Sequence, residues 1–102
     1  MLQDIKRKFK AGKYEYSLHA TNQSILRHIS TREILEAIEN GIIIEDYPED
    51  KYGPSCLMYG RTVAGKYLHV QCSYPSRHEI KIITVYEPDP EEWEDYVRRK
   101  KK

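Results

Sequence analysis

Two cysteines, one tryptophan and one phenylalanine are few for a chain of 102 residues. Cys56 and Cys72 cannot build a disulfide framework, so a hydrophobic core must hold the fold, and both are expected as reduced thiols in a cytoplasm. No apolar run approaches the roughly 20 residues of a membrane-spanning helix, so no membrane role is expected. Behind the first basic residues comes Phe9-Lys10-Ala11-Gly12-Lys13, with no apolar stretch of the kind a secretory leader carries. The phosphate-binding loop, the dinucleotide glycine fingerprint, a CxxC pair and a His-Glu-x-x-His motif are all missing. His69 and Cys72 lie three apart on an expected strand and would point to opposite faces, so they are poor partners for one ion. No metal and no cofactor is expected.

What is there suits one wet α+β domain. Hydrophobic residues make up 39% and charged residues 32%, with a mean hydropathy of −0.78. The net charge of +1 hides a segmented pattern. Residues 1–13 carry five lysines and arginines against Asp4, while residues 31–51 carry seven acids against Arg32 and Lys51. Residues 83–95 hold six acids and no base, and the end holds Arg98, Arg99 and three lysines. Local basic surfaces can therefore meet an anionic partner, although solvated faces would give the same pattern.

Leu2, Ile5 and Phe9 predict a short amphipathic helix in the first ten residues, ended by Gly12. Tyr14-Glu15-Tyr16 reads as extended. Ser17 caps a helix reaching His28, with Leu18, Ile25 and Leu26 expected to face inward. Ser30-Thr31-Arg32-Glu33 is a capping box opening a helix that stops at Gly41. Four strands follow, over Ile42–Tyr47, Pro54–Gly60, Tyr67–Ser73 and Glu79–Tyr86, with connections short enough for an antiparallel meander. Asp89-Pro90-Glu91-Glu92 then predicts a last helix docked by Trp93 and Tyr96 or Val97. The expected fold is α+β: N-terminal helices packed on a four-stranded antiparallel sheet, with a short C-terminal helix.

The groups that could do chemistry are proton carriers and cations. His19 opens a helix, and Arg27 lies eight residues on, about 12 Å along the axis at 1.5 Å per residue. His69 lies mid-strand on one face with Tyr67 and Gln71. Thr84 and Tyr86 share a face of the last strand; if the two faces join, His69, Thr84 and Tyr86 form one polar strip. Each has a plainer role open to it. A strand histidine can be a satisfied structural residue, Arg27 can pair with Glu36 or Glu39, and Tyr86 can be core. Ser55 and Cys56 are nucleophiles without an adjacent base, and Cys56 reads as a small buried hydrophobe.

Ser17-Leu18-His19-Ala20, Arg27-His28-Ile29-Ser30 and Ala37-Ile38-Glu39-Asn40-Gly41 form a recurrent set. With them go Tyr47-Pro48, Pro54-Ser55-Cys56-Leu57, Leu68-His69-Val70 and Ile82-Ile83-Thr84-Val85-Tyr86-Glu87-Pro88-Asp89 with Trp93. Together, from about Tyr16 to Arg99, they resemble the family called domain of unknown function 4258. Through it they resemble the barnase–EndoU–colicin–RelE group of nucleases and toxins, so the resemblance implies a single RelE/barnase-like domain over residues 1–102. Residues 1–13 would be a basic helical arm and 98–102 a basic tail. The family's polar positions fall on His19, Arg27, His69, Thr84 and Tyr86. Where the pattern usually has glycine, this chain has His28.

The expected function is metal-independent RNA cleavage by the 2′-hydroxyl, within a toxin–antitoxin system. His19 and His69 would be base and acid, because imidazole titrates near pH 6.5. Arg27 would hold the scissile phosphate, and Tyr86 or Thr84 would orient it. Tyr67 would stack an unpaired base. Lys6, Arg7, Lys8, Lys10, Arg98 and Arg99 would add salt-sensitive affinity. The expected partners are RNA and a cognate antitoxin protein. The alternatives are a non-catalytic toxin-like module that blocks a protein target and a nucleic-acid-binding accessory domain.

Overall fold

The computed structural model describes residues 1–101; Lys102, the last residue of the expected basic tail, lies outside them. The elements run α1 (Leu2–Lys10), β1 (Tyr14–Tyr16), α2 (Leu18–Leu26), α3 (Thr31–Glu39), β2 (Ile42–Tyr47), β3 (Ser55–Arg61), β4 (Tyr67–Ser73), β5 (Ile80–Tyr86), β6 (Trp93–Glu94) and β7 (Arg98–Arg99).

The sheet has five strands in the order β1-β5-β4-β3-β2, and β1 runs parallel to β5. This corrects the four-stranded antiparallel sheet expected from the sequence. The meander β2 to β5 is antiparallel as read, but Tyr14–Tyr16 is drawn into the sheet beside Ile80–Ile82 after a long excursion through the chain. Such a pairing is set by where α1 and α2 dock, so no local turn signal announces it.

The second correction is at the C-terminus. Among the described residues no helix follows Asp89; a two-stranded hairpin, β6 with β7, takes its place. Asp89 does close a turn, its carbonyl accepting from the amides of Glu92 and Trp93. Beyond it the chain reverses at Asp95 and Tyr96, with φ of +52° and +64°, and the Val97 amide closes on the Glu94 carbonyl. Two consecutive positive φ values match the turns that suit right-twisted hairpins. The helix pattern loses to tertiary contacts made by Trp93, Tyr96 and Arg99, described below.

Helices cover one face of the sheet. Ile5 and Phe9 of α1 and Ile34, Ala37 and Ile38 of α3 pack on Met58, Leu68, Val70, Ile80, Ile82 and Val85. Cys56 and Cys72 are free, buried in this layer and opposite each other in the β3–β4 register. The α3 capping box forms as expected: Glu33 N–H donates to Ser30 Oγ, and Glu33 Oε1 accepts from Ser30 N–H. Close approach of α3 to β3 depends on Gly60, where a Cβ would stand 1.8 Å from the Ala37 carbonyl oxygen.

Helix α2 is turned the opposite way from expectation. Ala20 is its one buried residue, while Leu18, Ile25 and Leu26 are 79%, 67% and 78% exposed. The reason lies at the edge of β5. Strand β1 covers β5 only as far as Ile82, so the backbone beyond would face solvent unpaired. Residues of α2 and its caps satisfy it. Ser17 Oγ donates to the Ile83 carbonyl at 3.0 Å, the Val85 amide donates to Gln23 Oε1 at 3.2 Å, and Arg27 Nη1 donates to the Val85 carbonyl at 3.0 Å. Polar side chains therefore face the sheet and aliphatic ones face out. The helix ends with His28 at φ +54°, the Ile29 amide reaching back to Ser24 and the His28 amide to Ile25. That is the left-handed helix stop that favours glycine, occupied here by histidine.

Candidate functional site

Strand alternation assembles the site on the sheet face away from the helices. In the register, His69 lies opposite Tyr86 and Gln71 opposite Thr84, so the two polar faces join. His69 Nδ1 and the Tyr86 hydroxyl are 3.0 Å apart. The other ring nitrogen, Nε2, lies 2.6 Å from the Tyr96 carbonyl. A carbonyl can only accept, so Nε2 carries the proton; in the neutral ring Nδ1 then accepts from Tyr86.

The C-terminal hairpin is a strap across this face. The Trp93 ring meets His69 edge-on at 4.4 Å, and the Tyr96 ring stacks on Tyr67 at 4.3 Å. Arg99 lies 4.7 Å above the Trp93 ring and donates from Nε and Nη2 to Glu45, at 3.0 and 3.2 Å. Tyr47 also donates to Glu45. Burial pushes the Glu45 carboxyl up, but the hydrogen bonds from Tyr47 and Arg99 outweigh it and hold it below the ordinary range. Burial, then the Glu45 carboxylate, push Tyr47 up to about 12.

Under the strap His69 is 0% exposed. Burial lowers its pKa, partly countered by the Tyr96 carbonyl and the Glu45 charge. The lowered pKa favours the neutral ring, and its hydrogen bond to Tyr86 links it to the groove side. Tyr86 is half-buried and opens on a groove of about 520 Å³ between the end of α2 and the strap. Arg27 and Arg99 line this groove beside Tyr86, together with Glu87, Asp89, Glu92 and Trp93. Burial raises the Tyr86 pKa and the positive charge of Arg99 lowers it, the balance remaining above the ordinary value.

The residues expected from the sequence are thus distributed over several places. Arg27, Tyr86 and Arg99 share the groove, and His69 stands directly behind Tyr86. Thr84 is on the same strand face, but its hydroxyl donates to Gln23. His19 is exposed near the start of α2, about 12 Å along the helix from Arg27, and does not line the groove. Tyr67 is half-buried beneath Tyr96. Arg98 is exposed on β7. Lys6, Arg7 and Lys10 line a different groove, between α1 and α3, while Lys8 Nζ donates to the Arg77 and His78 carbonyls. Among the described residues, no three His, Cys, Asp or Glu side chains gather closely enough to hold a metal ion.

Several members of the site had no expectation attached to them. Glu45 shares its strand with a second acid, Asp46, so the sequence did not single it out as the partner of Arg99. The Tyr96 carbonyl and the Gln23 side chain offered no signal either, because both act through contacts far away in sequence.

No helix among the described residues is long and apolar enough to cross a membrane. No curated protein and no solved structure matches the chain. The family model described as Domain of unknown function (DUF4258) matches residues 16–87, which hold His19, Arg27, His69, Thr84 and Tyr86 but neither α1 nor the strap. By that match the chain belongs to the DUF4258 family.

Proposed function

We propose that the groove at Arg27, Tyr86 and Arg99 binds RNA and that the chain cleaves it through the 2′-hydroxyl, as a toxin countered by a cognate antitoxin in the cytoplasm. The observation that carries this reading is the Tyr86 hydroxyl, backed by a buried neutral imidazole and flanked by two guanidiniums. Arg27 Nη1 is held by the Val85 carbonyl and the Arg99 Nε–Nη2 edge by Glu45, so the remaining N–H groups, Arg27 Nε and Nη2 and Arg99 Nη1, would meet the phosphate oxygens. The Tyr86 oxygen, its own proton donated to His69, has lone pairs free to accept the proton of a 2′-hydroxyl. As that oxygen attacks phosphorus, its proton passes to Tyr86 and the Tyr86 proton passes to His69 Nδ1, leaving the tyrosine neutral. The imidazolium so formed is steadied by the Tyr96 carbonyl and the Glu45 charge. The departing 5′-oxygen takes a proton from water at the groove mouth. Free Cys56 and Cys72, opposite each other and unlinked, suit a reducing compartment.

A non-catalytic binding module is the second reading, and the exposed Leu18, Ile25 and Leu26 of α2 favour it. Incubation with single-stranded RNA in EDTA separates the two. Cleavage leaving 2′,3′-cyclic phosphate ends is expected, falling about 100-fold in Tyr86→Phe and in Arg27→Ala. Uncut RNA, or equal cutting by both variants, would overturn the ribonuclease reading.

A further inference from the structure

Away from the Tyr86 groove, α1 and α3 enclose a second groove of about 500 Å³. Its floor is apolar: Phe9 and Ile38 are buried there, and Leu35 is half-buried. One wall is cationic, because Lys6, Arg7 and Lys10 lie within two turns of α1. The α3 side contributes Leu35 and a single acid, Glu39. Of the three cations, Arg7 already pairs with Asp4, which leaves the two lysines facing the groove without an ion pair among the described residues. Helix α1 lies outside the stretch that matches the family, and α3 lies within it.

We propose that this groove docks an acidic segment of another protein, one carrying a large aliphatic side chain that enters between α1 and α3. The apolar floor takes the side chain, and Lys6 and Lys10 meet the flanking carboxylates, as in helix-in-groove recognition. RNA is a poorer fit, because the sole aromatic ring on the floor, Phe9, is 2% exposed and cannot stack a base. A second copy of the chain is also a poorer fit. Of its two acidic runs, residues 87–95 are largely exposed but their one large apolar side chain, Trp93, is buried against its own sheet, and residues 31–51 are mostly built into α3 and β2, where the half-exposed Ile42 is fixed on a strand and not on a free segment.

The test uses a fluorescent synthetic peptide of about 12 residues, glutamate-rich with leucines at i and i+4, read by anisotropy and by amide shifts in ¹⁵N-labelled protein. Micromolar binding is expected, with shifts confined to α1 and α3. Changing the peptide's leucines to alanine, or the protein's Lys6→Glu with Lys10→Glu, should each weaken binding about tenfold or more. Both lysines are on the helix surface, and a thermal melt confirms that the double variant folds. The proposal is overturned if the alanine peptide binds equally well, if the shifts fall elsewhere, or if oligouridylate displaces the peptide from α1 and α3. It is equally overturned if sedimentation shows a dimer that the double variant dissolves, which would give the groove to a second copy.

Discussion

The two faces of the sheet are built from different chemistry. On the helix side, Ile34, Ile38, Val70, Ile82 and Val85 make an aliphatic layer whose tightness depends on the contact of Gly60 with Ala37. On the strap side, His69, Tyr86, Trp93 and Tyr96 make an aromatic and hydrogen-bonded layer closed by Arg99 on Glu45. The first depends on area and volume, which tolerate no unpaired polar atom. The second depends on directional contacts that satisfy a buried imidazole from both sides. The helix side holds the fold, and the strap side carries the groove.

Breaking the helix side should have the largest effect. Gly60→Ala places a Cβ against the Ala37 carbonyl and should cost about 4 kcal/mol, seen as a large drop in the urea midpoint. An unchanged midpoint would mean that α3 does not rest on β3 as described. On the strap side, Trp93→Ala removes the ring above His69 and should cost about 3 kcal/mol. It should also speed exchange of the His69 ring N–H, because the strap loses its anchor. A loss of stability without faster exchange would show that the strap stays shut without Trp93.

A smaller effect sharpens the contrast through pH. Burial lowers the His69 pKa in the folded state, so the unfolded chain binds its proton first. The stability carried by the neutral ring is complete above about pH 6.5 and is lost as pH falls from there through the lower folded value. Urea midpoints measured at several pH values should show this slope, and His69→Gln should flatten it. Persistence of the full slope in that variant would assign it to other groups. Smallest is a gain: His28→Gly relieves the left-handed position after α2 and should stabilise by about 0.5–1 kcal/mol, read as a raised Tm.

Legibility in the sequence follows the same division. The α3 capping box and the strands β2 to β5 were readable, because a cap and an alternating strand are local patterns. The joining of the His69 face to the Tyr86 face was readable as a condition, and the register meets it. The orientation of α2 was not, because Leu18, Ile25 and Leu26 look like a buried stripe until one knows that β5 has an open edge. Nor was the strap: Asp89-Pro90-Glu91-Glu92 has every mark of a helix start, and only Tyr67, His69 and Glu45, far back in the chain, turn it into a hairpin. Glu45 on β2, His69 on β4, Tyr86 on β5, Trp93 on β6 and Arg99 on β7 thus come together from five separate strands, with spacing in sequence saying little about which would meet.

The most direct measurement is ¹⁵N NMR of the His69 ring while a 2′-O-methyl oligoribonucleotide, bound but not cleaved, is added at neutral pH. The account predicts a neutral ring protonated at Nε2, whose Nδ1 resonance moves as the groove in front of Tyr86 fills. A ring protonated at Nδ1, or an Nδ1 resonance that does not move while the oligonucleotide is bound, would contradict it.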